Sequence, residues 1–326
     1  MNAPILPVTS ADIDAAARVI APYAVRTPLL SPPVLNERMG TRVFLKPEML
    51  QRTGSFKFRG AFNKLSSIPM DKRGGVVAFS SGNHAQGVAA AAKILNMQAT
   101  IVMPIDAPLS KRERTKAYGA EVVLYDRDRE DREAIANAIA AKRGATLVRP
   151  YDDPFVIAGQ GTVGSEIAED MAALGLVPDI VVAPASGGGL IAGVATAIKA
   201  RYPQASIIVG EPDGYDDHTL SLRAGKREAH HAEGRTICDA LMASIPGEIT
   251  FAINSKLLSK GITATDAEVG AAVAFAFREL KLVVEPGGAV GLAALLAGHI
   301  DVKGKNVVIV LSGGNVDADL FARLIG

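Results

Sequence analysis

The sequence predicts an α/β protein with two open, mainly parallel twisted sheets and helices on both faces, and three observations carry that expectation. Short β-branched runs recur along the chain, each followed by a turn and a helical stretch. The runs fall into two series, one at 76–150 and one at 180–312. Apolar residues make up 48% of the 326, which is ample for real cores and excludes wholesale disorder. Buried strands alternating with helices call for parallel sheets and right-handed crossovers.

Taken in order, Thr9 or Ser10 can cap a first helix that runs to about Tyr23. VVAFS (76–80) leads into a Gly-Asn loop and an alanine-rich helix from about Ala85 to Leu95. ATIVMP (99–104) precedes a basic helix and EVVLY (121–125) a charged one, and TLVRP (146–150) closes the series. IVVAP (180–184), SIIVGE (206–211) and NVVIVLS (306–312) repeat the rhythm. Helices around Glu268–Leu280 and Ala289–Ala297 would cover the second sheet. The polar stretch Asp213–Glu233 carries three of the five histidines and reads as surface loop and helix.

Composition narrows the function. Lys plus Arg is 35 against 34 for Asp plus Glu, so there is no electrostatic case for a nucleic acid or an anionic membrane as partner. Cys238, the single cysteine, excludes an internal disulfide and a cysteine-built zinc site, and it suits a reducing cytosol. The N-terminus lacks a basic cluster followed by an apolar core, so a cytoplasmic protein is expected. Ile180–Ile198 has the length of a membrane span, but Pro184, Ser186 and three consecutive glycines make it strand, loop and helix.

Three glycine-centred turns follow strands: SSGNHAQG (80–87), SGGGLIAG (186–193) and SGGNVD (312–317). Glycines at a helix start let backbone N–H groups converge on an anion, although each turn alone is equally a tight connection. Gly187, Gly189 and Ala192 also fit a dinucleotide fingerprint, with Glu211 placed to hold a ribose and a nicotinamide-dependent oxidoreductase as the consequence. Against that, Pro184 to Ser186 separate strand from glycines, and Lys57 between Phe56 and Phe58 is left unexplained.

With the oxidoreductase, or a non-catalytic nucleotide-binding module, left open, six blocks point elsewhere: KPEMLQRTGSFKFRGA (46–61), SSGNHAQGVA (80–89), GQGTVGSEI (159–167), SGGGLIAGV (186–194), EPGGAVG (285–291) and LSGGNVD (311–317). In order, over nearly the whole chain, they resemble the serine/threonine dehydratase and serine racemase family, pyridoxal-phosphate enzymes of the tryptophan-synthase-β-like fold. The resemblance implies a large cofactor-binding body (1–74 and 153–326) and a smaller mobile one (75–152) that closes over the substrate. Lys57 would bond to the cofactor aldehyde and remove the substrate's α-proton, flanked by Phe56 and Phe58 in a dry pocket that favours its neutral amine. Gly187, Gly188, Gly189 and Leu190 would hold the phosphate, Asn83 the ring hydroxyl, and Ser312 would face the pyridine nitrogen. Ser80, Ser81, Asn83 and His84 would grip the substrate carboxylate. Ser81 also matches the serine that serves racemases on the face opposite the lysine, although it is equally a plain N-cap.

Glu211, Asp217 and the Tyr215 carbonyl match the family's divalent-cation site, which suits Mg²⁺; a solvated acidic turn is the other reading. The implied reaction removes water from a small hydroxy-amino acid, L-threonine or L-serine first, and gives a keto acid and ammonia. Elimination from 3-hydroxyaspartate, amino-acid racemisation and β-replacement are the alternatives on the same scaffold. A homodimer or other homo-oligomer is expected. Two departures from the family stand out: Ala240 where relatives carry glycine, and Arg149 where they usually carry histidine. An inward Arg149 would pair with a β-carboxylate and favour 3-hydroxyaspartate, whereas an outward one would be a solvated arginine. No regulatory module follows SGGNVD, which suggests a catabolic role.

Overall fold

The computed structural model describes residues 6–70, 74–80, 82–107, 109–232 and 234–326. Its frame is two sheets whose strands all pair in parallel. The five-stranded sheet has the order β1 (Arg42–Pro47), β9 (Asn306–Leu311), β6 (Ile180–Pro184), β7 (Ser206–Pro212), β8 (Lys260–Ala264). The four-stranded sheet has the order β4 (Glu121–Tyr125), β3 (Ala99–Pro104), β2 (Val76–Phe79), β5 (Thr146–Leu147).

Alternation along the strands sends side chains to two cores, as the pleat requires. Val43, Leu45, Val182, Ile208, Val307 and Ile309 pack under α11 (Asp266–Arg278) and α12 (Pro286–Leu296). Phe44, Val181, Ile207, Val209, Val308 and Val310 face the other way, onto α7 (Pro154–Ala173) and α8 (Gly189–Arg201). Under the smaller sheet, Val76, Ala78, Ile101 and Met103 pack on α4 (Asn83–Ile94) and on Phe58, Phe62 and Leu65 of α3 (Lys57–Ser66). Helix α3 therefore sits between the sheets. Gly87 permits this contact, because a Cβ there would lie 3.1 Å from the Lys57 carbonyl carbon.

Local signals hold where they are strong. Thr9 caps α1 (Ser10–Ile20) in a reciprocal capping box with Asp12. Two strands were not anticipated. In β1 the interruption is Lys46, a fully buried ammonium paired with Glu166 at 2.7 Å. In β8 it is Gly261, where a Cβ would lie 2.0 Å from Thr219 Oγ1, because α9 (Asp217–Ala224) rests directly on the strand. The start of α9 is accordingly buried, at Asp217, His218, Thr219 and Ser221, and not the wholly superficial segment its polarity suggests. The apolar run at 180–198 is strand, loop and helix, and among the described residues no helix is long and apolar enough to cross a membrane.

Candidate active site

The carboxyl ends of β2, β6 and β9 open on one cleft between the sheets, the usual place for a ligand in open parallel sheets. Its floor is the loop Ser186–Gly189. Gly188 has φ +92°, a left-handed conformation open chiefly to glycine. Side chains pack against the loop so tightly, Tyr151 from within the cleft and the others from behind, that none of its glycines could carry a Cβ. A methyl on Gly187 would lie 2.2 Å from the Tyr151 ring, on Gly188 2.5 Å from His218, and on Gly189 2.7 Å from Gln160 Oε1. Thr250 Oγ1 donates to the Gly187 carbonyl at 2.6 Å, and Asn254 Nδ2 donates to that of Gly188 at 3.4 Å. With the carbonyls held from α10 (Glu248–Leu257), the first amides of α8 remain for an anion.

Across the cleft, Lys57 is the first residue of α3. Its Nζ donates to the Pro150 carbonyl at 2.8 Å and lies 5.1 Å from the centre of the Phe56 ring. Burial lowers this amine to about 8, with Glu285 pulling weakly the other way. Phe58, a helical step away, turns into the core and stacks instead with Phe62 and Arg52. Only one of the two flanking aromatics therefore meets the ammonium.

The small-sheet wall carries Ser80, Asn83 and His84; Ser81 lies outside the described residues. Ser80 Oγ accepts from the Gly82 amide at 3.1 Å. Asn83 donates to Glu285 Oε1 at 2.6 Å and accepts from Asn315 at 2.8 Å. The His84 ring turns away to the Val148 carbonyl at 3.0 Å, and burial next to Lys57 lowers it to about 3, so it brings no positive charge to the cleft. Ser312 lines the opposite side, and its carbonyl accepts the Phe56 amide at 3.1 Å. Leu190 and Ala240 line the same cleft.

Arg149 is not brought there. It pairs with Glu133 at 2.7 Å on the surface, its side chain 47% exposed. Glu211, Tyr215 and Asp217 form a separate group at the end of β7. Glu211 accepts from the amides of His218 and Thr219 and from Thr219 Oγ1, at 2.6–2.9 Å. Both its oxygens are thus turned from the cleft, which removes it as a ribose ligand. The buried Asp217 Oδ2 has no partner, and the Tyr215 hydroxyl donates to Gly234. Burial, reinforced by neighbouring carboxylates, raises Glu211 to about 7 and Asp217 to about 9. Among the described residues no set of three or more His, Cys, Asp or Glu is placed to hold a metal.

Several lining residues carried no individual signal in the sequence. Glu285, the N-cap of α12, lies inside one of the six blocks; it is buried, its Oε2 is unpartnered, and burial pushes it up to about 7. Lys111, from α5 (Leu109–Ala117), reaches across to Asp239 at 2.6 Å. Arg132, the first residue of α6 (Arg132–Arg143), lies 5.5 Å from the centre of the Phe79 ring and has no carboxylate partner among the described residues. Lys111 and Arg132 sit on helices whose sequences read as ordinary solvated faces.

Comparison with known proteins agrees with this geometry. The pyridoxal-phosphate dependent enzyme family matches residues 20–313. An L-threonine ammonia-lyase of Thermotoga maritima is 44% identical over 98% of this chain and 78% of its own length. An L-threo-3-hydroxyaspartate ammonia-lyase of Saccharomyces cerevisiae is 42% identical over 97% of this chain and 96% of its own. Among solved structures, maize serine racemase superposes with a TM-score of 0.90 at 37% identity, covering 97% of this chain and 96% of that one.

Proposed function

The chain belongs to the pyridoxal-phosphate-dependent enzyme family, and from that premise we propose that it is an ammonia-lyase acting on a small hydroxy-amino acid, L-threonine or L-serine first. The carrying observation is Lys57, a half-buried residue whose amine is lowered to about 8 by desolvation and shares one cleft with a three-glycine anion cradle.

The residues fit the cofactor: the cradle that admits no side chain would take its phosphate, and Lys57 its aldehyde. Asn83 would hold the ring hydroxyl and Ser312 the ring nitrogen. Bound there, pyridoxal phosphate supplies an electron sink for charge developing at the substrate's Cα. A hydroxyl at Ser312, in place of a carboxylate, leaves that sink weak and favours prompt loss of the β-substituent. Lys57, lowered to about 8 and so part neutral near that pH, takes the Cα proton on Nζ. Ser80, Ser81 and the first amides of α4 receive the α-carboxylate. The β-hydroxyl departs as water with a proton that balances the one Lys57 took from Cα, leaving the amine neutral again, and the released enamine is hydrolysed to keto acid and ammonia. The small body, 75–152, closes over the large one (1–74 and 153–326); Lys111–Asp239 at 2.6 Å and Arg235–Asp106 at 3.1 Å already bridge them. Scattering in solution should show contraction when substrate binds, and an unchanged radius would withdraw closure.

The test is turnover of L- and D-serine, L- and D-threonine and the 3-hydroxyaspartates, followed by keto-acid release and chiral analysis. Inversion without keto acid would move the chain to the racemases, and inertness to the whole panel would end the reading. Arg132 favours 3-hydroxyaspartate as a second reading, since its unpaired guanidinium lines the cleft where Arg149 does not. Arg132→Met should then depress hydroxyaspartate turnover selectively.

The reading extends to a divalent cation of the Mg²⁺ kind at Glu211, Asp217 and the Tyr215 carbonyl. Two buried carboxylates held toward the neutral form, one with an unpartnered oxygen, support it. Chelation should lower the melting temperature and Mg²⁺ restore it, about 2.7 kcal/mol being gained at a hundredfold excess over Kd. An indifferent melting temperature leaves a plain acid cluster. A cytoplasmic homo-oligomer completes the proposal, supported by the lone buried cysteine and by exposed apolar side chains such as Leu50 and Val283. Sedimentation as a monomer would overturn the assembly.

A further inference from the structure

Behind the glycine cradle, three buried side chains press on the loop, and each carries a polar atom without a hydrogen bond of ordinary geometry. Gln160 does so at Oε1 and His218 at its ring nitrogens, beside the Ser186 backbone; Asn254 leaves Oδ1 unpartnered while its Nδ2 donates to the Gly188 carbonyl. Their closeness is measured by the Cβ each glycine lacks. From the Gly188 position, His218 Cε1 would be 2.5 Å away, its Nε2 2.6 Å and Asn254 Nδ2 2.8 Å; from Gly189, Gln160 Oε1 would be 2.7 Å away.

Buried polar atoms without partners are costly, and an apolar side chain would fill the same space without that cost. Their convergence on one loop therefore needs a reason. His218 is also anchored from the other direction, because its backbone amide donates to Glu211 Oε1 at 2.8 Å. The ring is thus fixed to the end of β7 and presses on Gly188, the residue that must stay left-handed for the first amides of α8 to converge.

We propose that His218 is a positioning residue for the phosphate cradle, holding Gly188 in its left-handed conformation from an anchor on Glu211, with Asn254 holding the Gly188 carbonyl beside it. This rests on the reading of Gly187–Leu190 as the phosphate site. It makes part of the phosphate affinity depend on a residue that touches neither cofactor nor substrate.

The test compares pyridoxal 5′-phosphate with pyridoxal, which lacks the phosphate, for affinity to the full chain stripped of cofactor. Wild type should strongly prefer the phosphorylated form; equal affinities would sink the cradle reading and this proposal with it. His218→Leu keeps the bulk and removes the polar atoms. It should weaken binding of the phosphorylated form on the order of the 10- to 100-fold that losing an outer-shell partner costs at metal sites. Affinity for pyridoxal should stay the same, and His218→Asn should recover part of the loss. A purely space-filling role gives wild-type preference in His218→Leu, and that result overturns the proposal while leaving the cradle intact. Should the leucine variant not fold, Asn254→Ala reads the same ratio: a selective loss for the phosphorylated form supports the layer, and an unchanged ratio removes it.

Discussion

Lys57 and Arg59 stand two residues apart on helix α3, Arg59 fully buried and Lys57 half-buried with its amine desolvated, and they meet opposite fates. Arg59 forks onto Glu48 at 2.8 Å and onto Glu166 at 2.6 and 2.9 Å, and Lys46 joins Glu166 at 2.7 Å. Two cations and two carboxylates cancel. Burial alone would disfavour its charge, but the two glutamates outweigh that and push Arg59 up. Glu166 is likewise held below its ordinary range because Arg59 and Lys46 outweigh its desolvation. Lys57 has a backbone carbonyl for a partner, and burial prevails. The contrast separates framework from reagent. A buried charge with matched partners is locked in one protonation state, whereas one without them is poised between two.

The largest expected effect breaks the reagent and spares the framework. Lys57→Ala removes the amine but none of the four compensated charges. Turnover should fall by about 10⁴-fold or more, as nucleophile loss does elsewhere, while the melting temperature of the cofactor-free chain shifts by only a few degrees. Near-normal turnover would mean that the poised amine is not the reacting group.

The converse variant is Arg59→Met. It leaves the buried Glu48 without its cation and Glu166 with Lys46 alone, and breaking one side of a buried pair costs about 3–5 kcal/mol. For a chain of this size that corresponds to a melting temperature lower by roughly 5 °C. Unfolding in urea measures the loss. Turnover per folded molecule should change far less than in Lys57→Ala. Stability close to wild type would show that the cluster is not the framework its geometry suggests.

The same contrast explains what the sequence made legible. The glycine loop and Lys57 could be read because backbone geometry and covalent chemistry tolerate few residue types. At Gly187, Gly188 and Gly189 no Cβ fits at all. Strands β2, β3, β6, β7 and β9 were legible as β-branched runs for a similar reason, since both their faces are buried, and the half-exposed edge strand β4 was legible from its apolar run alone. Strand β1 was obscured by Lys46, a charge that reads as surface until its partner Glu166, far away in sequence, is in view. Arg132 and Lys111 were illegible because only the folding of helices α5 and α6 over the cleft distinguishes them from ordinary solvated cations. Arg149 shows the reverse. A departure from the family pattern drew notice, yet its guanidinium binds Glu133 on the outside of the same helix.

The smallest expected effect tests whether poise is measurable in a carboxyl as well as an amine. Glu285 is 2% exposed, and burial raises it from an ordinary 4.5 to about 7, only partly offset by Lys111, Asn83 and Lys57, with Asp239 adding to the rise. A raised acid is held protonated by the fold. Its contribution to stability is fully present below about 4.5 and is lost as pH climbs to about 7, where the folded form also ionises. At 1.36 kcal/mol per pKa unit the loss is at most about 3 kcal/mol, and relaxation around the site will reduce it. Glu166 has the opposite sign. Its contribution is present above 4.5 and disappears as pH falls through its lowered value, so the two glutamates tilt the pH profile in opposite directions on either side of that point. Glu285→Gln stays neutral throughout and keeps the oxygen that accepts from Asn83. In urea unfolding at pH 4.5 and pH 7.5, wild type should lose stability relative to this variant by about 1–3 kcal/mol between the two conditions. Parallel profiles would mean that Glu285 is already ionised in the folded chain. The division between compensated and poised charges would then stop at Lys57.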